Sequence, residues 1–160
     1  MIYIKKTNKC DTRTLKKGQE LNIKDVEEDT KKHREAVYEA CEMFSDKLIL
    51  QAMRHDYTKC NDFLPMFKRA LETGFKDDEF KKLNWWEIHK TTERHHLNDF
   101  VPEDVNLIDV IEMLCDCVCA GKARTGKVFP IKITNEILQL AVENTVKYLI
   151  DNIEVEDEDS

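Results

Sequence analysis

The sequence has few residues that interrupt regular structure, with four glycines and three prolines among 160 residues. This shortage disfavours a turn-rich β fold and favours helices joined by short loops. The length suits one domain with a single sizeable core. The sequence therefore predicts an all-α fold: one helical domain at residues 25–151, after a short irregular arm at 1–24 and before a disordered acidic tail at 152–160. A short strand in the arm is left open.

Long apolar runs are also missing, because no stretch reaches the roughly 20 apolar residues that a membrane-spanning helix needs. The first residues, MIYIKKTNKCDTRT, contain no apolar core of the kind found in signal peptides. Both absences predict a soluble, cytoplasmic protein with no membrane partner. In a reducing cytoplasm the six cysteines are expected to be free thiols, mostly buried as small apolar groups.

Positive charge is scarce, since 25 Lys and Arg stand against 32 Asp and Glu and the formal net charge is −7. Affinity for nucleic acid comes from clustered Lys and Arg, so general nucleic-acid binding is not expected. Local basic stretches remain, and Lys122 and Arg124 in GKARTGK are candidates to gather a substrate phosphate. Ordinary capping of a helix C-terminus by cations is the alternative for these two residues.

Apolar spacing predicts the main helices. From about Val26 apolar residues recur at intervals of three and four, and His33 lies on the same stripe. Ser45-Asp46 is a helix-start signal, so a second helix is predicted to carry the chain to His55 and Asp56. Asp104 to Gly121 is predicted as a strongly apolar central helix, and a last helix follows Thr134.

The sequence contains few histidines, and the order in which they occur along the chain is informative. The five of them stand at positions 33, 55, 89, 95 and 96, ahead of a helix that holds Asp109 and Asp116. The order is H…HD…H…HH…D. If one helix continues from Trp85, His89 and His96 share a face because seven residues are nearly two turns. His95 would then lie about 100° away, turned either toward a neighbouring metal position or to the surface.

This order resembles the HD superfamily of metal-dependent phosphohydrolases, in which a His, a His-Asp pair and a later Asp from separate helices hold a metal ion. The strings HDYTK, HKTTERHHLND, EMLCD and CDTRT resemble, more narrowly, an uncharacterised HD-like family often met in phage genomes. The resemblance spans about residues 33–124. It implies an HD-like helical bundle, located in the host cytoplasm if the chain is phage-encoded.

The resemblance also implies a ligand set for one or two divalent transition metal ions. The first ion would take His33, His55, Asp56 and Asp116, with Asp109 as the fallback for the last ligand. A second ion would share Asp56 and take His89, His95 and His96, although these gaps are shorter than in better-known two-metal families. Imidazole and carboxylate ligands without thiolate suit Fe, Mn, Co, Ni or Zn.

Metal-bound water and cationic side chains would then serve phosphate chemistry. The expected catalytic residues are Asp56, Lys59 and Glu112, with Glu93 as an alternative to Glu112 for orienting water or protonating a leaving group. Lys59 follows the pair as HD-x-x-K, the spacing of a phosphate-contacting lysine in several HD enzymes; a plain helix-end charge is the alternative. The expected substrate-binding residues are Arg13, Lys59, Arg94, Lys122 and Arg124.

The leading functional hypothesis is thus a phosphomonoesterase or phosphodiesterase that acts on a nucleotide or a related small phosphate. Two other classes stay open: a di-iron oxygenase of the HD type, and a non-catalytic metal-binding interaction module. The sequence leaves the substrate, the metal and the oligomeric state undetermined, and a homo-oligomer is compatible with it.

Overall fold

The computed structural model describes residues 1–5, 22–72 and 85–156. Within these ranges the chain is mostly helical, which confirms the predicted all-α class. The elements are β1 Ile2–Lys5, α1 Ile23–Ala52, α2 Leu64–Glu72, α3 Trp85–Thr92, α4 Leu107–Thr125, α5 Asn135–Asn152 and β2 Ile153–Glu156. A π-helical turn, Lys59–Phe63, leads directly into α2. None of the helices in these ranges combines the length and the apolar character required to cross a membrane.

The chain divides into two compact units, residues 1–46 with 146–160, and residues 47–145. The boundaries fall inside α1 and α5 rather than at the predicted domain limits of 24 and 152. The two groups of potential metal ligands described below belong to the second unit.

The predicted helix start at Ser45-Asp46 is wrong, because α1 continues from Ile23 to Ala52 without a break. Serine and aspartate are common at helix starts, but neither ends a helix that is already formed. No glycine or proline occurs between residues 23 and 52, so nothing local interrupts the hydrogen-bond ladder.

In the first unit, β1 and β2 pair in parallel, with Ile2 opposite Ile153 and Lys5 opposite Glu156. The arm therefore does contain a strand. Residues 153–156 were predicted to belong to the disordered tail, and they form β2 instead. The sequence IEVE alternates apolar and acidic residues, which is the pattern of a strand. Residues 157–160 lie outside the described part of the chain.

The core of the second unit surrounds α4, and its buried apolar residues are Leu97, Val105, Val110, Met113 and Ala141. Two hydrogen bonds join the start of α4 to α5. The Leu107 backbone N–H donates to Thr145 Oγ1 at 2.9 Å, and Asn144 Nδ2 donates to the Val105 carbonyl at 2.8 Å. These bonds satisfy backbone groups at a buried helix start, so they fix the register of α4.

A capping box begins α4 three residues later than predicted. The Asn106 side chain accepts a hydrogen bond from the Ile108 N–H, and Asp109 Oδ2 accepts one from the Asn106 N–H. The helix passes through Gly121 and ends before Gly126, whose φ of 70° is the left-handed conformation that glycine adopts readily at a helix end. Lys122 and Arg124 therefore belong to the last turn of α4.

The described cysteines are free thiols, but they are less buried than predicted. Cys41, Cys60, Cys115 and Cys119 are exposed, and Cys117 is half-buried. Burial raises the pKa of the Cys117 thiol, as does the nearby Asp116 carboxylate. Cys115 and Cys119 are four residues apart, so they share one side of α4 and leave its core-facing side to other residues.

Candidate metal centre

The turn that follows α1 carries the His-Asp pair. Asp56 has φ 56°, and it is the one non-glycine residue with positive φ in the described ranges. The left-handed conformation costs about 1 kcal/mol for a residue with a side chain, and aspartate tolerates it better than most. Such strain is concentrated at functional sites. Here it lets the chain reverse while His55 and Asp56 both point toward the histidines that follow α3.

Four residues form the first group of potential metal ligands: Asp56, His89, His95 and His96, with one ligand atom from each lying within 4.8 Å of the others. His89 Nε2 is 3.4 Å from Asp56 Oδ1, and His95 Nε2 is 3.7 Å from the same oxygen. His89 Nε2 and His96 Nε2 are 2.9 Å apart. Both His89 and His95 are almost completely buried.

Three buried polar atoms in this group lack a hydrogen-bond partner: Asp56 Oδ1, His95 Nδ1 and His95 Nε2. Leaving such atoms unsatisfied in a protein interior costs roughly 1–3 kcal/mol each. Two nitrogens bound to one ion at about 2.0–2.1 Å lie roughly 2.9–3.4 Å apart, which matches the spacing of His89 and His96. The donor types and their spacing therefore fit a transition metal ion.

Hydrogen bonds fix the proton on His89. Thr58 Oγ1 donates its proton to Glu93 Oε1 at 2.6 Å, so the 2.6 Å contact of the same oxygen with His89 Nδ1 requires the imidazole to donate. Burial lowers the pKa of His89 to about 4, with Lys59 and His96 contributing. The ring is therefore neutral, with its lone pair on Nε2, the nitrogen that faces Asp56.

His55, His95 and Asp116 form a second group of potential ligands. His55 Nε2 lies 3.5 Å from Asp116 Oδ1, and His55 Nδ1 donates to Glu112 Oε1 at 2.9 Å. A carboxylate on the far nitrogen of a histidine is the usual partner of a metal-binding imidazole, since it fixes which nitrogen keeps its lone pair. His95 belongs to both groups, so the two candidate positions adjoin.

Glu112 does not suit the predicted role of proton donor to a leaving group. Burial raises the pKa of Glu112, but contacts with His95, Gln51 and His55 outweigh burial and lower it to about 2. A general acid at neutral pH requires a pKa near 7. Glu112 also accepts a 2.7 Å hydrogen bond from Gln51 Nε2, so both of its oxygens are engaged in holding other residues.

Lys59 lies at the edge of the first group. Its Nζ donates to Asp56 Oδ2 at 2.6 Å, which leaves Oδ1 facing the histidines. Burial alone would raise the pKa of Asp56, but the hydrogen bond and the charge of Lys59 outweigh burial. The pKa is therefore lower than that of a free aspartate, and Asp56 is ionised. Contact of Lys59 with a substrate phosphate stays a prediction.

Comparison with known proteins identifies a family without adding a function. Residues 22–154 match a model described as a family of unknown function (DUF5662). The chain belongs to this family. No curated protein and no solved structure matches it. Every residue of the two groups lies within the matched part of this DUF5662 chain, so the cluster belongs to the family region rather than to a flanking segment.

The structure of this DUF5662 member brings together six of the seven predicted ligands. They are His55, Asp56, His89, His95, His96 and Asp116. His33 is the exception, because its side chain is exposed in the first unit and joins neither group of described residues.

Arg94 was predicted to bind substrate; its guanidinium is held by two aspartates, and contact with a substrate stays a prediction. Its guanidinium donates from Nε and Nη2 to the two oxygens of Asp109, at 2.7 and 2.8 Å, and from Nη1 to Asp104 at 3.0 Å. Asp109 is fully buried between this ion pair and the capping box of α4. Asp109 is thus committed to structure, and Asp116 is the α4 carboxylate beside the histidines.

The remaining predicted substrate-binding residues are not placed at the site. Lys122 and Arg124 are exposed in the last turn of α4, about 9 and 12 Å along the helix axis from Asp116. Arg13 lies outside the described residues.

Helix α3 ends at Thr92, earlier than the continuous helix predicted through His96. His96 still meets His89, because the turn at 93–96 folds back, with the His96 N–H donating to the Glu93 carbonyl at 3.3 Å. The same turn directs His95 inward, so its side chain is buried beside Asp56 and does not lie at the surface.

Two residues that help to position the histidines by hydrogen bonds, Gln51 and Thr58, were not predicted from the sequence. Gln51 donates from one nitrogen to both Asp109 and Glu112, each at 2.7 Å. Thr58 connects His89 to Glu93, which accepts hydrogen bonds from the Thr58 backbone and hydroxyl rather than facing water. Their location in the sequence could have indicated this role, because Gln51 lies about one helical turn before His55 and Thr58 is inside HDYTK.

A cleft of about 770 Å³ lies behind this cluster in the second unit. Gln51, Thr58 and Glu112 form part of its wall, and none of the six clustered candidate ligands lines it. Thr58 and Glu112 also contact the cluster, at His89 and His55, and Gln51 is linked to it through Glu112. The cleft is therefore a neighbour of the candidate metal centre and not its opening.

Proposed function

We propose that this DUF5662 chain is a metal-dependent phosphohydrolase that acts on a nucleotide or a related small phosphate. The observation that carries the proposal is that Asp56 Oδ1 and His95 Nε2 are buried without a hydrogen bond, in a group of potential ligands that also contains His89 and His96. Side chains with these donors favour Fe, Mn, Co, Ni or Zn. The resemblance of the H…HD…H…HH…D order to HD phosphohydrolases supplies the reaction class.

A bound ion would lower the pKa of water toward 7 and polarise a phosphoryl oxygen. The chain's own residues would do the rest. Glu112 and Thr58 hold the rings of His55 and His89 in position. Lys59 lies beside Asp56, where its ammonium would offset negative charge on a substrate phosphate.

Metal analysis by mass spectrometry tests the metal half of the proposal. The wild-type chain is expected to retain one or two transition metal ions, and Asp56→Asn and His95→Ala are expected to lose them. His33→Gln is a matched control, because it removes an exposed histidine outside both groups. A wild-type chain that holds no stoichiometric metal after reconstitution would end the proposal.

Phosphate release from a panel of nucleotides and phosphodiesters tests the reaction. The metal-loaded wild type should release phosphate or cleave a diester, and Lys59→Met should lower kcat/KM by about 10- to 1,000-fold, the usual cost of removing one charge-stabilising group. If the metal-loaded protein processes no member of the panel, the hydrolytic function is abandoned while the metal site stands.

The two groups, which have His95 in common, would hold two ions if both were occupied, and they also support a second candidate, a di-iron oxygenase. This candidate predicts an iron signal in electron paramagnetic resonance together with oxygen uptake. A colourless protein with one ion per chain excludes it. A site that binds metal but supports neither reaction would indicate a metal-binding interaction module in the cytoplasm.

A further inference from the structure

The cleft behind the metal cluster has the size and the lining of a small-molecule site. Its volume of about 770 Å³ is within the range of about 300–1,000 Å³ that small-molecule sites occupy. It is lined by charged, aromatic and aliphatic side chains, which include Lys47, Leu50, Arg54, Tyr57 and Ile108. A cleft of this size and mixture is suited to an organic ligand rather than to a bare ion.

Cationic side chains line the cleft together with the carboxylates of Glu93 and Glu112. Both carboxylates already accept hydrogen bonds within the protein. Lys47, Gln51 and Arg54 follow each other at spacings of four and three, so they share one side of the chain at the end of α1. Arg54 is exposed and makes no ion pair with any described residue. Arg94, by contrast, is saturated by Asp104 and Asp109, so Arg54 is the guanidinium available to an anion.

Two large side chains that line the cleft are mostly exposed. Leu50 is 62% exposed and Tyr57 is 60% exposed, although both line the cavity. Tyr57 follows Arg54 by three residues, and both line the cleft. In a ligand with an anionic end and a planar apolar part, the anionic end would pair with the Arg54 guanidinium. The planar part would cover the Tyr57 ring.

The turn at residues 53–58 separates the two sites. His55 and Asp56 belong to the metal cluster, whereas Arg54, Tyr57 and Thr58 line the cleft. The chain turns at Asp56, whose φ is positive. Consecutive residues of this turn therefore contribute to different sites.

We propose that this cleft is a second binding site, separate from the metal centre, for a small organic phosphate that carries an aromatic moiety. Arg54 binds the phosphate as a bidentate donor, and Tyr57 stacks on the aromatic part. The site does not depend on the metal proposal, because none of its lining residues is a candidate metal ligand.

Calorimetric titration of the full-length chain with adenosine monophosphate tests this site. An Asp56→Asn background prevents turnover of the probe at the metal centre. In that background adenosine monophosphate should bind, and Arg54→Gln should weaken its binding by tenfold or more, as expected for a lost charge-assisted hydrogen bond. Tyr57→Ser should weaken adenosine monophosphate several-fold and leave inorganic phosphate unchanged.

Arg34→Gln is the charge-matched control, since Arg34 is an exposed arginine of the first unit that does not line the cleft. It should bind the probe as the background does. Equal weakening by Arg34→Gln and Arg54→Gln would overturn the proposal, as would a failure of adenosine monophosphate to bind. Binding that is present in wild type and lost on Asp56→Asn alone would move the probe to the metal centre and also overturn it.

Discussion

At the scale of single residues, two histidines of the cluster, His55 and His89, are each oriented by a neighbour of Nδ1. Glu112 accepts from His55 Nδ1, and Thr58 accepts from His89 Nδ1. His89 Nε2, which keeps its lone pair, faces Asp56, and His55 Nε2 faces Asp116. Such preorganisation is what separates a ligand set from a chance group of polar residues.

Glu112→Gln is expected to weaken metal binding by about 10- to 100-fold, the usual effect of removing the carboxylate that supports a metal-binding histidine. The amide keeps the size of Glu112 but no longer fixes the proton of His55 through a charged acceptor. Titration with Mn²⁺ or Zn²⁺ by calorimetry measures the change. Glu39→Gln, on an exposed residue of α1, is the control, and equal affinities for the two variants would contradict the role of Glu112.

Thr58→Val is expected to weaken metal binding by about tenfold and to lower the free energy of unfolding by about 1–3 kcal/mol. The valine has nearly the same shape, but it leaves the buried His89 Nδ1 without an acceptor and Glu93 with one donor fewer. Urea unfolding and metal titration measure the two effects. Thr58→Ser retains the hydroxyl and should restore both; a serine variant as weak as the valine variant would show that packing, and not the hydrogen bond, matters here.

At the scale of elements, α4 divides its acidic residues between structure and site. Asp109, in the first turn, caps the helix and binds Arg94. Two turns later, Asp116 faces His55. Spacing alone places both carboxylates on one stripe, so the choice between them depends on the neighbours that the fold supplies.

Asp109→Asn is expected to lower the free energy of unfolding by about 3 kcal/mol, because removal of one partner from a buried ion pair leaves Arg94 uncompensated. This loss is at the low end of the usual range for a broken buried ion pair, because the Arg94 side chain is 32% exposed. Asp104→Asn alters the exposed partner of the same arginine and should cost less than 1 kcal/mol. Urea unfolding compares the two, and similar losses would contradict the structural role assigned to Asp109.

Sequence pattern predicted the helices of the second unit and the histidines that meet there, because apolar spacing and residue order survive folding. It did not predict the connections. Ser45-Asp46 resembled a helix start inside an unbroken helix, and α3 ended four residues before His96. Gln51 and Thr58 were missed because their importance comes from partners 31 to 61 residues away, which no local pattern encodes.

At the scale of the whole molecule, both ends of the described chain contribute to one structure, since β1 and β2 pair at residues 2–5 and 153–156. The metal cluster gathers ligands from residues 55 to 116 of the second unit, on segments that follow α1 and α3 and on α4. Those segments are far apart in sequence, so an ion that binds them all favours the folded state over the unfolded chain.

Removal of metal is therefore expected to lower Tm. At a free metal concentration 100 times Kd, binding adds about 2.7 kcal/mol to stability, which for a chain of 160 residues corresponds to roughly 5–10 °C in Tm. Thermal unfolding of the metal-loaded chain with and without EDTA measures the difference. Asp56→Asn should show no response to EDTA, whereas His33→Gln should respond as the wild type does. If EDTA leaves the Tm of the metal-loaded wild type unchanged, the ion does not connect these segments, and the buried atoms of Asp56 and His95 need another partner.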